Sequence, residues 1–169
     1  MKKTKVISKI LFYLTRGLAW VYILTAVYGG ISWFTNTNST IEQDRMIIQY
    51  PFTDSSFLIL DNHLTYVLFS FLLPVVAYAL FFWLLSNAFR VFYQDKLFVR
   101  ENIVHLQRFY SANIFLPIVL VAFSSFFITV ESEMFLIVIL HLFLGVFAFF
   151  MSEIFNQGLN LQNEQDLYI

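Results

Sequence analysis

Three histidines, His63, His105 and His141, are the side chains here best suited to moving a proton near neutral pH or holding a metal. Nothing beside them completes a catalytic set. The chain has no cysteine, which removes disulfides, thiolate metal sites and a cysteine nucleophile. It has no Gly-rich phosphate loop, no His-Glu-x-x-His and no Gly-x-Ser-x-Gly. The expectation is a protein that is not an enzyme and takes no cofactor and no metal. His141 stands apart because it interrupts a long apolar run. An ionisable group in hydrocarbon is costly and is by default a candidate for function. One histidine without a carboxylate at its own depth is a poor proton relay, however. The simpler reading is a hydrogen bond from His141 to a neighbouring helix.

The surroundings of these residues are mostly hydrocarbon. The chain is 59% hydrophobic, 20% aromatic and 12% charged, where a soluble domain carries about 25% charged residues. From Leu64 to Phe89 there are 26 residues without Asp, Glu, Lys, Arg or His. At about 1.5 Å per residue such a helix exceeds the roughly 30 Å of bilayer hydrocarbon. Comparable runs predict spans near 10–34, 107–130 and 134–156. The first is longer than the apolar core of a secretory signal and lacks a small-residue cleavage pattern, so it reads as a retained span. Arg16 can snorkel to the interface, and Trp33 fits an interfacial anchor at the other end. Proline in the middle of two spans, Pro74 and Pro117, should perturb the local helix.

The connections differ from one another. Residues 35–63 open with Thr-Asn-Thr-Asn-Ser-Thr, which reads as loop. Two β-prone runs, Met46–Phe52 and Phe57–Leu60, then flank Thr-Asp-Ser-Ser and predict a short hairpin, with Pro51 arguing for an edge strand. In residues 90–106 and just beyond, Phe98, Ile103, Leu106 and Phe109 recur at helical spacing. That pattern predicts a helix lying at the membrane surface and running into the third span. Glu131-Ser132-Glu133 is a tight turn. Residues 157–169 form a polar tail with no Lys or Arg. The fold class is therefore an all-α integral membrane protein, a four-transmembrane-helix bundle with a small extracytoplasmic hairpin.

Charge orients the bundle. An even number of spans places both chain ends on one side, together with the central loop. That side holds Lys2, Lys3, Lys5, Lys9, Arg16, Arg90, Lys96, Arg100 and Arg108, and only Arg45 falls on the other. Excess Lys and Arg marks the cytoplasmic face. The expectation is a bacterial cytoplasmic membrane protein, multi-pass, with both termini cytoplasmic.

Two functional classes follow. In the first, the central loop and the tail form a cytoplasmic docking face for a soluble protein, within which Arg100 and Arg108 can pair with Glu153, Glu164 or Asp166. The basic residues are too few, and too mixed with acids, for direct nucleic-acid binding. In the second, the chain is a small transporter or channel component, able to act as a homo-oligomer, with Ser111, Asn113, Ser124, Ser125 and His141 as its only polar lining. The lipid bilayer is the partner common to both.

Two stretches carry a resemblance. Val91–Phe109 resembles the central loop of the small bacterial membrane proteins called domain of unknown function 2975, matching at Phe98, Glu101, Asn102 and Leu106. The tail from Glu153 resembles that family's ending at Ile154, Phe155, Gly158, Leu161, Glu164, Asp166, Leu167 and Ile169. Asp95 and Tyr168 depart from it, where Gly and Thr are usual. The resemblance implies four spans and no established enzymatic activity. It also implies a cytoplasmic partner, a small helix-turn-helix transcription regulator that this protein sequesters or regulates. The implied contact residues are Phe98, Glu101, Asn102 and Leu106 with Gly158, Leu161, Glu164, Asp166, Leu167 and Ile169.

Overall fold

The computed structural model of the protein describes residues 2–166. Four helices are long and apolar enough to cross a membrane, and they account for most of the chain. The first covers Lys2–Thr35, the second Leu64–Val91, the third Arg100–Ser124 and the fourth Glu133–Asp166. The first packs along the second, the third along the fourth, and the second against the third. Both described chain ends and the connection between the second and third helices lie at one end of the bundle, here the terminal end. The other is the sheet end.

Burial runs opposite to a soluble protein. The first helix buries Ser8, Thr15, Ala19, Ala26, Gly29, Gly30 and Ser32. It exposes Val21, Leu24, Val27 and Ile31, and the fourth helix exposes Phe143 and Phe147. Lipid is as apolar as leucine, so large side chains gain nothing by leaving it, and small residues let the helices approach. A Cβ at Gly29 would lie 2.7 Å from the Phe71 ring, and one at Gly145 would lie 2.6 Å from Ile114 Cγ1. Arg16 is held against the second helix. Its guanidinium stacks over Trp83 at 3.8 Å and donates to Asn87 Oδ1 at 2.6 Å.

Large buried side chains collect toward the two ends instead. Met46, Ile48, Val67 and Phe71 are buried toward the sheet end. At the terminal end Val91, Ile103, Leu106, Phe109 and Phe155 form a core with Ala88 and Ala148. This corrects the expected surface helix. The periodic face of Ile103, Leu106 and Phe109 does not lie on lipid headgroups but turns inward against the second and fourth helices. Its residues belong to the first turns of one continuous third helix. That helix also stops earlier than expected, at Ser124. The backbone N–H groups of Phe127 and Ile128 bond the Ser124 carbonyl, and the chain then leaves the helical path.

The second helix contains a π segment, Val67–Leu72, directly before Pro74. Widening the hydrogen-bond ladder by one residue is a common way to accommodate a proline that cannot donate.

The sheet has three strands, β1 Ser39–Glu42, β2 Arg45–Gln49 and β3 Ser56–Asp61, all antiparallel in the order β1-β2-β3. The expected hairpin is β2–β3. Strand β1 comes partly from the stretch read as loop, and it makes β2 central. Pro51 therefore does not sit on an edge strand; it lies in the turn after β2, where no ladder bond is lost. Asn36, just past the first helix, has φ 53°, a left-handed conformation that asparagine tolerates at helix ends. Met46 and Ile48 are buried, and Tyr28 donates to the Gln49 carbonyl at 2.6 Å, which ties the sheet to the first helix. Trp33 does not present its indole N–H to water. Its Nε1 is buried and has no hydrogen-bond partner among the described residues.

Candidate functional site

The site grows from the meeting of the second, third and fourth helices. They are tight at the terminal end and spread toward the sheet end, leaving a cleft of about 350 Å³. That is within the range of small-molecule sites. Its walls are chiefly Leu73, Leu80, Leu116, Leu120, Val121 and Ile137, with Thr129 and Glu131 among the residues at the mouth. The floor holds Tyr78, Phe81, Leu84, Asn113 and His141. Below it Phe81 packs on Phe109, with ring centroids 5.9 Å apart, and the terminal-end core begins. The cleft is therefore blind.

Its polar floor is a connected pair. His141 Nδ1 lies 2.8 Å from Asn113 Oδ1. The Asn113 amide nitrogen donates to the Phe109 carbonyl at 2.8 Å. That second bond orients the amide, so Oδ1 is an acceptor and Nδ1 of a neutral ring must donate. The Phe81 ring stands edge-on to the imidazole at 5.0 Å, and the Tyr78 ring is 6.2 Å away. The simpler expectation for His141, a bond to a neighbouring helix, matches this geometry. A double-mutant cycle of Asn113→Leu and His141→Phe is expected to give a coupling energy of about 0.6–1.7 kcal/mol, the span found for hydrogen bonds between membrane helices. Unfolding in mixed micelles measures it, and additive single effects would mean that no bond exists.

The other polar lining candidates do not string together. Ser124 reaches the cleft near its mouth, whereas Ser125 is exposed and donates to the Ala122 carbonyl, and Ser111 is absent from the lining. His63 is exposed at the start of the second helix.

The terminal end holds the other candidate residues. Phe98 packs edge-on against Phe155 at 5.4 Å and covers Gly158, where a Cβ would fall 2.6 Å from its ring. Asn102 is buried, and its amide donates to the Lys96 and Leu97 carbonyls at 3.1 and 2.9 Å, holding the connection from the second helix. Leu106 is buried in the core. Phe98, Asn102, Leu106 and Gly158 thus hold the chain to itself, and a partner would not meet Asn102 or Leu106. Glu101, Leu161 and Glu164 are exposed. Asp166 ends the described helix, and Leu167 and Ile169 lie outside the described residues.

Among the described residues neither Arg100 nor Arg108 pairs with Glu153 or Glu164. The ion pairs among the described residues are Lys5–Asp95 at 2.8 Å and Arg45–Asp61 at 4.0 Å, and His105 Nε2 lies 3.9 Å from Glu101 Oε1. The hydrogen bond from Lys5, then its charge, holds the Asp95 carboxyl below its ordinary range. His105 has both ring nitrogens buried without a hydrogen bond, since 3.9 Å is too long for one. No group of three or more His, Cys, Asp or Glu suited to a metal occurs among the described residues.

The four long apolar helices and the lipid-like burial of their outer faces define a multi-pass integral membrane protein. The family model described as "Protein of unknown function (DUF2975)" matches residues 13–169, and the chain belongs to that family. Searches of curated proteins and of solved structures return no match.

Proposed function

We propose that the protein is a non-enzymatic membrane regulator whose terminal end faces the cytoplasm and docks a soluble protein on the free part of its fourth helix. The observation that carries this reading is the length of that helix. It runs 34 residues, and about 20 suffice to cross the hydrocarbon. The remainder stands beyond the lipid as a rigid extension, anchored by Phe155 and Gly158 and exposed over residues 160–165. The Lys and Arg excess at that end supports a cytoplasmic placement. The family resemblance supports a helix-turn-helix transcription regulator as the partner, held at the membrane or released from it.

A photo-crosslinker placed at Leu161 tests this in native membranes, with Phe143, on the lipid-facing side, as the comparison. The expected result is a soluble protein captured at Leu161 and not at Phe143; the same protein should be retained by the full chain in a detergent pull-down and lost on deletion of Asn160–Ile169, with membrane insertion unchanged. Identical capture from both positions, or pull-down retention that survives the deletion, would overturn the reading.

A further inference from the structure

We infer that the blind cleft binds a lipophilic alcohol, a molecule with an apolar body and one hydroxyl, entering from the bilayer. The inference is independent of the tail reading and rests on the hydrogen-bonding capacity left over on the cleft floor. Asn113 fixes Nδ1 of the neutral His141 ring as the donor. Nε2 is then an acceptor, and it makes no hydrogen bond among the described residues. Tyr78 lines the same floor, and its hydroxyl, which can donate, likewise makes no hydrogen bond there. Pro117 adds to the imbalance, because it withholds the N–H that would bond the Asn113 carbonyl four residues earlier.

An acyl chain alone would fill the volume and leave these groups unpaired in a low-dielectric setting, which is costly. A carbonyl would serve Tyr78 but not His141. A hydroxyl carries both a donor suited to Nε2 and an acceptor suited to the Tyr78 hydroxyl. The remaining walls are apolar and the cleft lies between spans, so the body of the occupant is hydrocarbon and its route is lateral, through lipid.

The test compares decanol with its methyl ether, which has the same chain and no donor. The protein is held in phosphatidylcholine nanodiscs with its histidine ring nitrogens labelled with ¹⁵N. Decanol is expected to move the Nε2 resonance of His141 upfield and to bind about tenfold more tightly than the ether, the worth of one hydrogen bond in a dry site. Asn113→Leu frees the ring to exchange tautomers and should shrink that preference. Equal binding of alcohol and ether with an unmoved Nε2 would mean that an ordinary acyl chain fills the cleft, and would overturn the inference. So would a proton found on Nε2 rather than Nδ1 in the empty wild-type protein. Both readouts use the unaltered chain, so the inference remains falsifiable even where the variant fails to fold.

Discussion

Phe155→Ala is expected to lower the unfolding free energy by about 3–5 kcal/mol, the usual cost of emptying a large aromatic site in a core. Phe155 is 5% exposed and is flanked edge-on by Phe92 at 5.7 Å and Phe98 at 5.4 Å. Its position matters as much as its packing. It sits more than 20 residues into the fourth helix, past the stretch needed to cross hydrocarbon. With the terminal end beyond the lipid, as proposed above, water is the alternative surroundings for that ring and the hydrophobic effect acts on it in full. Phe143 supplies the contrast. It is 72% exposed, and in lipid its removal should change stability by less than about 1 kcal/mol. Unfolding of both variants in the same mixed micelles makes the comparison. Equal effects would show that the terminal-end core is not the stabilising one.

Gly145→Leu is expected to separate the third and fourth helices, with a loss of about 3 kcal/mol, the upper part of the overpacking range. The new Cβ would meet Ile114 Cγ1 at 2.6 Å, and the Ile114 nitrogen and the Tyr110 carbonyl oxygen at 3.3 Å. The isoleucine tip can rotate away, but two backbone atoms cannot, so relief requires the helix axes to part. The floor of the cleft would open with them, because Asn113 and His141 lie on these two helices. Gly17 is the control, since a Cβ there meets nothing within 4 Å. Gly17→Ala should be neutral or stabilising by up to about 1 kcal/mol through helix propensity alone. A distance between labels on the third and fourth helices, read beside the unfolding curve, separates the two cases. An unchanged distance with unchanged stability would refute the account of Gly145.

The contrast between the two glycines shows where sequence reading reached its limit. Both sit in apolar helices and look alike in the chain. Only the neighbouring helix makes one of them indispensable. The same holds for the motif residues at the terminal end. Phe98, Asn102, Leu106 and Gly158 are legible as matches to the family's loop and ending, and the resemblance implies a contact surface for a partner. Three-dimensional packing gave them an internal task instead, because the third helix begins at Arg100 and turns that face toward Phe155. The third strand was hidden for a different reason. Ser39–Glu42 is only four residues long and follows a run of turn-forming residues, so Thr40 and Ile41 do not mark a strand by themselves, and it pairs because β2 offers an unfilled edge.

Hydropathy is a local and additive property, so residue order alone was enough to establish four spans and the clustering of nine of ten basic residues at one end. It did not establish where the helices end, since the first begins at Lys2 and the fourth runs on to Asp166. The rotation of each helix about its axis is not local. In lipid every face of these helices is apolar, so no polar stripe marks the side that must turn inward. The places where small residues allow backbones to touch settle that rotation. They, and polar contacts such as those of Asn113 with His141 and Arg16 with Asn87, are what only the tertiary structure decided: a bundle closed at one end and open at the other around a cleft.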